Sequence, residues 1–188
     1  LSAPWKTVKN SISKLHPGDT LYLRGGTYYE SNVKINIQGT ESNRITIKNY
    51  PKEMPTIDGG YKEFRTLPNS DWELYDAGKN IYRSVKQYPN TENVYGYFGP
   101  GNRNYRLVPY QSYSDLSSDN EDYTETGSIY IGPGVFWNSS DERIYIRLKP
   151  SNQEISMGYH IPLGTDPRNM KLYIFASGVV IHFDHECA

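Results

Sequence analysis

The 188-residue chain sets 20 Lys and Arg against 21 Asp and Glu, and its net charge of -1 argues against electrostatic capture of nucleic acid. One cysteine, Cys187, excludes an intrachain disulfide, and no apolar run approaches the roughly 18 residues of a membrane span. Eighteen Tyr, 16 Gly and 12 Pro favour strands and turns over helices.

Residues 3–15 form the one helical pattern. Trp5, Val8, Ile12 and Leu15 share a face. Ser2 suits the N-cap, Pro4 the first turn, and Pro17-Gly18 stops the helix. Short strands follow at 20–24, 27–29, 33–37, 44–48 and 56–58, separated by Gly, Asn, Pro and Asp turns. Their pattern repeats every 24 residues: Leu21 returns as Ile45, Leu23 as Ile47 and Val33 as Ile57. The alternate positions follow, Tyr22 with Thr46, Arg24 with Lys48 and Lys34 with Asp58. Short strands with a period in the twenties read as a solenoid of two coils, three strands each, stacked at about 4.8 Å. The helix is the cap that the open end of such a stack requires.

From 61 to 167 the period is lost, although strands continue at 81–85, 94–98, 106–110, 128–132 and 143–148. This segment reads as an inserted β excursion, too long for a loop. The coil pattern returns over 168–188, where Leu172 and Ile174 alternate with Tyr173 and Phe175. Val179, Ile181 and Phe183 then alternate with Val180, His182 and Asp184. A strand so close to Ala188 would leave an open sheet edge, so further coils are expected after it. The chain opens at Leu1 with no visible signal peptide, as a processed or trimmed product would. The expected fold is all-β: a parallel β-helix with a capping helix over 1–60, the excursion over 61–167 and the coil again over 168–188.

The helix from Trp5 to Leu15, the run Pro17-Gly18-Asp19-Thr20-Leu21-Tyr22-Leu23-Arg24-Gly25-Gly26-Thr27-Tyr28, Ile45-Thr46-Ile47-Lys48-Asn49 and Pro55-Thr56-Ile57-Asp58-Gly59 carry a resemblance. They resemble the N-terminal coils of right-handed parallel β-helix proteins of the pectate-lyase-like superfamily, nearest to chondroitinase-B, alginate-lyase and related β-helix glycosidases. The resemblance implies a secreted, periplasmic or cell-surface protein acting on a polysaccharide or oligosaccharide. In the lyase branch it also implies a Lys/Arg pair beside a carboxylate-bound calcium. No position here matches those groups, so no catalytic residue is carried over, and calcium rests on the resemblance alone. Fold does not fix function. Polysaccharide cleavage by lyase or hydrolase, glycan binding without turnover, and a scaffold displaying the excursion all stay open.

Two groups of residues carry candidate chemistry. His182, Asp184, His185 and Glu186 are the densest polar cluster, suited to acid–base work. Their spacing matches no metal signature, and the plainer reading is a polar strand face running into a turn. Trp72, Tyr95, Tyr97, Phe98 and Trp137, with Arg103 and Arg106, pair stacking faces with guanidiniums, as a glycan cleft requires. The plainer reading makes the aromatics the core of the excursion. Asp58-Gly59-Gly60 offers an oxygen for calcium, or only a tight turn, and Asn138-Ser139-Ser140 fits a glycosylation sequon.

Overall fold

The computed structural model describes residues 4–90, 95–98, 104–122, 124–152, 164–175 and 179–183. In chain order the elements are α1 (Val8–Ile12), β1 (Thr20–Leu23), β2 (Gly26–Tyr29), β3 (Val33–Ile35), β4 (Thr46–Asn49), β5 (Pro55–Asp58), β6 (Trp72–Asp76) and β7 (Ile81–Ser84). There follow β8 (Tyr95–Phe98), β9 (Asn104–Arg106), β10 (Val108–Pro109), α2 (Tyr113–Ser117), β11 (Gly134–Asn138), β12 (Arg143–Arg147), β13 (Leu172–Ile174) and β14 (Ile181–Phe183). They form two compact units. One takes the described residues of Leu1–Gly60 and Val179–Ala188, the other those of Tyr61–Gly178.

The first unit is a β-solenoid. β1 pairs with β4, β2 with β5 and β3 with β14, all parallel. Hairpins give antiparallel neighbours; parallel ones appear where each strand meets its counterpart one winding later. Val8, Ile12 and Leu15 bury against Leu21 and Val33, with Leu23, Ile35, Ile45 and Ile57 packed around them. The third strand of the second winding, β14, arrives only after the whole second unit has been threaded.

Two expectations are corrected here. The helix covers Val8–Ile12, not 3–15, and its N-cap is Thr7, whose Oγ1 accepts from Asn10 N at 3.2 Å. Thr7 is extended, so the chain ahead of it is not helical, and Trp5 is exposed. The register also differs. Thr20 lies opposite Thr46, an offset of 26 residues, so Leu21 meets Ile47 rather than Ile45. Tyr28 lies opposite Ile57, an offset of 29, and Val33 meets Ile181. The corner from Tyr50 to Met54 is longer than its counterpart Arg24-Gly25, which accounts for the change between strands. The first error spans two residues, so it leaves the inward face of β1 unchanged.

One carboxylate ties the cap to the winding. Glu30, just after β2, accepts from Val8 N at 2.7 Å and Lys9 N at 2.9 Å, two of the donors a helix start leaves orphaned. Its own N–H donates to Asp58 O at 2.9 Å, in the second winding. Gly18 turns the chain into β1 with φ of +92°, a region that side-chain-bearing residues avoid.

The second unit holds a five-stranded sheet ordered β10-β11-β12-β7-β6 and a three-stranded sheet ordered β13-β8-β9. All pairs are antiparallel except β10–β11. Leu172–Ile174, read from sequence as a return to the coil, instead pairs antiparallel with β8. Leu172 and Ile174 are buried with Phe64, Trp72, Ile144, Ile146 and Leu148. The expected strand at 128–132 is absent. There Ile131 N and Gly132 N donate to the Tyr110 hydroxyl at 2.8 and 3.1 Å, which itself donates to Gly132 O at 2.8 Å. A side chain thus takes bonds that a strand ladder would use. The strand lies instead at Gly134–Asn138. A Cβ on Gly134 would strike the Val108 carbonyl and lie 2.5 Å from the Tyr110 ring.

Two stability tests follow from these contacts. Glu30→Ala should cost about 1–2 kcal/mol in urea unfolding, with Glu30→Gln recovering part of the loss. Gly134→Ala should cost about 1–3 kcal/mol or more, because rigid backbone must give way. Unchanged midpoints would contradict the respective accounts.

Candidate functional site

The corner between β4 and β5 builds an exposed ladder beside β1. Tyr50 N donates to Leu23 O at 2.8 Å, fixing the corner on the first winding. Asn49 Nδ2 donates to Glu53 O at 2.9 Å and closes the corner on itself. The Glu53 carboxylate therefore sits against Arg24, accepting from Nε at 2.9 and 3.0 Å and from Nη2 at 2.7 Å, and from Gly25 N at 2.5 Å. The Arg24 guanidinium lies over the Tyr50 ring at 4.7 Å. Tyr50 meets Tyr22 edge to face at 6.0 Å, and the Lys48 ammonium lies over Tyr22 at 4.9 Å. The sequence Lys48–Tyr22–Tyr50–Arg24 thus alternates cation, two rings and cation along one surface.

That surface is open. Tyr22 is 45% and Tyr50 43% exposed. Exposed aromatic faces stack on the C–H faces of sugars, and the cationic groups donate to hydroxyls or carboxylates. Glu53 neutralises Arg24, which leaves Lys48 as the excess charge of the ladder. The hydrogen bonds from Arg24 and Gly25 hold the Glu53 carboxyl below its ordinary range, and the Glu53 contact raises Arg24.

The residues singled out by sequence fall elsewhere. Trp72 is 3% exposed with the Phe64 ring at 4.8 Å, so no face is left for a sugar. Trp137 is half-buried beside the same core, its Nε1 donating to Tyr88 O at 2.7 Å. Arg106 is exposed at the end of β9. Tyr97 sits on β8 opposite Tyr105 and Leu172, and the side chains of Tyr95, Tyr97 and Phe98 lie outside the described set. Arg103, Asp184, His185, Glu186 and Cys187 lie outside the described residues. His182 is exposed on β14, opposite Lys34. Asp58 accepts from Gly60 N at 2.9 Å, the local bond of a tight turn. Asn138 ends β11 and accepts from Ser140 N at 3.0 Å.

The ladder was missed because a period of 24 aligns Tyr22 with Thr46 and Arg24 with Lys48. The observed offset of 26 puts Tyr22 opposite Lys48, and extended by two residues it puts Arg24 level with Tyr50. Among the described residues, no three His, Cys, Asp or Glu side chains gather as a metal site would need.

The Glu53 pairing has a pH signature. Because its carboxyl is depressed in the fold, the stabilisation from the pair is complete above the ordinary value of 4.5 and is lost as pH falls through the lower folded value. Carbon-detected NMR titration should place the Glu53 midpoint below 4.5, and Arg24→Gln should raise it. An unchanged midpoint in the variant would refute the assignment.

Comparison with known proteins accords with this architecture. No family model matches the sequence. Pectate lyase PEL9 of Emericella nidulans is 30% identical over 93 residues, covering 49% of this chain and 22% of that protein. A solved structure described as the complex of XylC with xylose superposes with a TM-score of 0.59 at 17% identity. It covers 98% of this chain, which spans 30% of its length. No helix among the described residues is long and apolar enough to cross a membrane. The parallel windings and the superposition show a parallel β-helix fold that also contains an antiparallel sheet, and about half of the chain is similar in sequence to part of a pectate lyase.

Proposed function

We propose that the chain forms the N-terminal windings of a secreted or cell-surface enzyme that cleaves a polysaccharide, with the β1–β4 ladder contacting the glycan. The observation that carries this reading is the exposed run Lys48–Tyr22–Tyr50–Arg24 on the parallel sheet. Two rings at 6.0 Å give a surface for sugar rings, and the excess positive charge of Lys48 favours acidic units. The partial match to a pectate lyase supports the substrate class. The second winding leaves Ile47, Ile181 and Phe183 exposed, which supports a further winding stacked on it. In this reading the ladder binds and orients the chain of sugars, and bond cleavage belongs to groups beyond the ladder.

The test screens the longest available form of the protein on polygalacturonate, alginate and neutral glycans. Ultraviolet absorbance reports unsaturated lyase products, and new reducing ends without it report hydrolysis. Cleavage of an acidic glycan is expected. Tyr22→Ala and Lys48→Ala should each weaken oligogalacturonate binding by about threefold to tenfold in calorimetry. Binding without product would make the protein a non-catalytic glycan-binding β-helix. The absence of both product and binding would refute a glycan role for the ladder.

A further inference from the structure

The five-stranded sheet of the second unit has two unlike faces. One face sends Trp72, Tyr82, Val135, Ile144 and Ile146 into the core. On the other, Glu73, Arg83, Tyr145 and Phe136 stand in one cross-strand row over β6, β7, β12 and β11. Helix α2 packs against β11 and β12. The row stays open over β6 and β7, where the Glu73 and Arg83 side chains are part-exposed.

A β-bulge puts a ring on this strip. The register of β6 against β7 shifts between Leu74 and Asp76, leaving Tyr75 as the extra residue without an opposite partner. Bulges re-aim side chains at sheet edges, and β6 is the edge strand. Tyr75 meets Tyr145 at 5.0 Å and Tyr113 at 6.0 Å, both nearly perpendicular, and the Arg83 guanidinium lies 5.0 Å from its centroid. Three groups therefore hold the ring in place, yet Tyr75 remains 48% exposed.

The polar groups around it are paired before any ligand arrives. Glu73 accepts from Arg83 at 2.6 Å and Arg143 at 3.0 Å. The Tyr145 hydroxyl donates to Asp141 at 2.6 Å, and Tyr113 engages Asp76. The cluster thus gathers two guanidiniums, both ion-paired with Glu73, and three carboxylates in all. An anionic sugar would have to displace Glu73 to reach either arginine, against a slight excess of negative charge. An uncharged sugar needs no such displacement. A carboxylate beside a guanidinium offers acceptors and donors side by side, the pattern that vicinal hydroxyls satisfy.

We propose that the Tyr75 ring, with Glu73, Arg83 and Arg143, forms a second glycan-binding site that takes neutral pyranose chains. It is separate in chemistry from the ladder on β1 and β4, whose excess charge is positive. It anchors the protein on an uncharged glycan independently of any cleavage by the solenoid.

The test titrates the intact chain with xylo-, gluco- and manno-oligosaccharides in a calorimeter, at low and high salt. Binding of at least one neutral oligosaccharide is expected, with little change in affinity between the two salts. Saturating oligogalacturonate should not displace it. Tyr75→Ala should weaken it by about tenfold, and Tyr75→Phe should retain it. Circular dichroism of Tyr75→Ala, matching the parent, separates a lost contact from a lost fold. No binding to any neutral oligosaccharide would overturn the proposal. So would affinity unchanged in folded Tyr75→Ala, or displacement by oligogalacturonate. These arms use neutral sugars as the bound probe, so a failure of the cleavage reading leaves their outcome legible.

Discussion

The solenoid depends on parallel pairing between strands that are distant in sequence. A parallel strand cannot be satisfied by its chain neighbour; it needs a partner supplied by a crossover. For β1 and β2 that partner arrives within one short winding. For β3 it arrives only with β14, and the bonds Asn32 N to Val179 O and Val33 N to Val180 O, both 2.9 Å, lead into that pairing. The buried edge of β3, with Val33 fully enclosed, is completed by a segment that follows the entire second unit. Pairing of this kind gives the first unit a high sequence separation between contacts, which is the slow part of folding for such topologies.

Much of this was legible in the sequence, because inward Leu, Ile and Val recur at short intervals between turn residues. The period itself was not. Corners between strands vary in length, and a repeat search aligns side chains rather than backbone bonds. An alternative alignment two residues away keeps every inward residue inward, so the hydrophobic pattern cannot choose between them. Leu172–Ile174 fails for a related reason. Leu-Tyr-Ile reads alike in a parallel winding and in a buried antiparallel sheet, and only the partner strand distinguishes them. Val179 to Phe183 carries the same alternation and does rejoin the winding.

The candidate sites show the opposite bias. Sequence reasoning favours tryptophan as a stacking surface, yet Trp72 is consumed by the core. The exposed rings that gather with charged groups are tyrosines, Tyr22, Tyr50 and Tyr75, whose hydroxyl ends tolerate water. Tyr22 and Tyr50 emerge through the offset of the windings, and Tyr75 through a local irregularity in β6. Neither cause leaves a motif. Both depend on which residue stands beside which across a sheet. The same applies to charge: Glu53 and Glu73 each sit against guanidiniums brought from other strands, and this sets the polarity of each surface.

The bond from Tyr61 N to Ile174 O, 2.9 Å long, clasps the two ends of the second unit to each other. A disordered loop of that length would carry an entropic charge for bringing its ends together, rising slowly with length. A folded body whose ends already meet avoids most of that charge. The closure is thus made inside the second unit by backbone groups of its own.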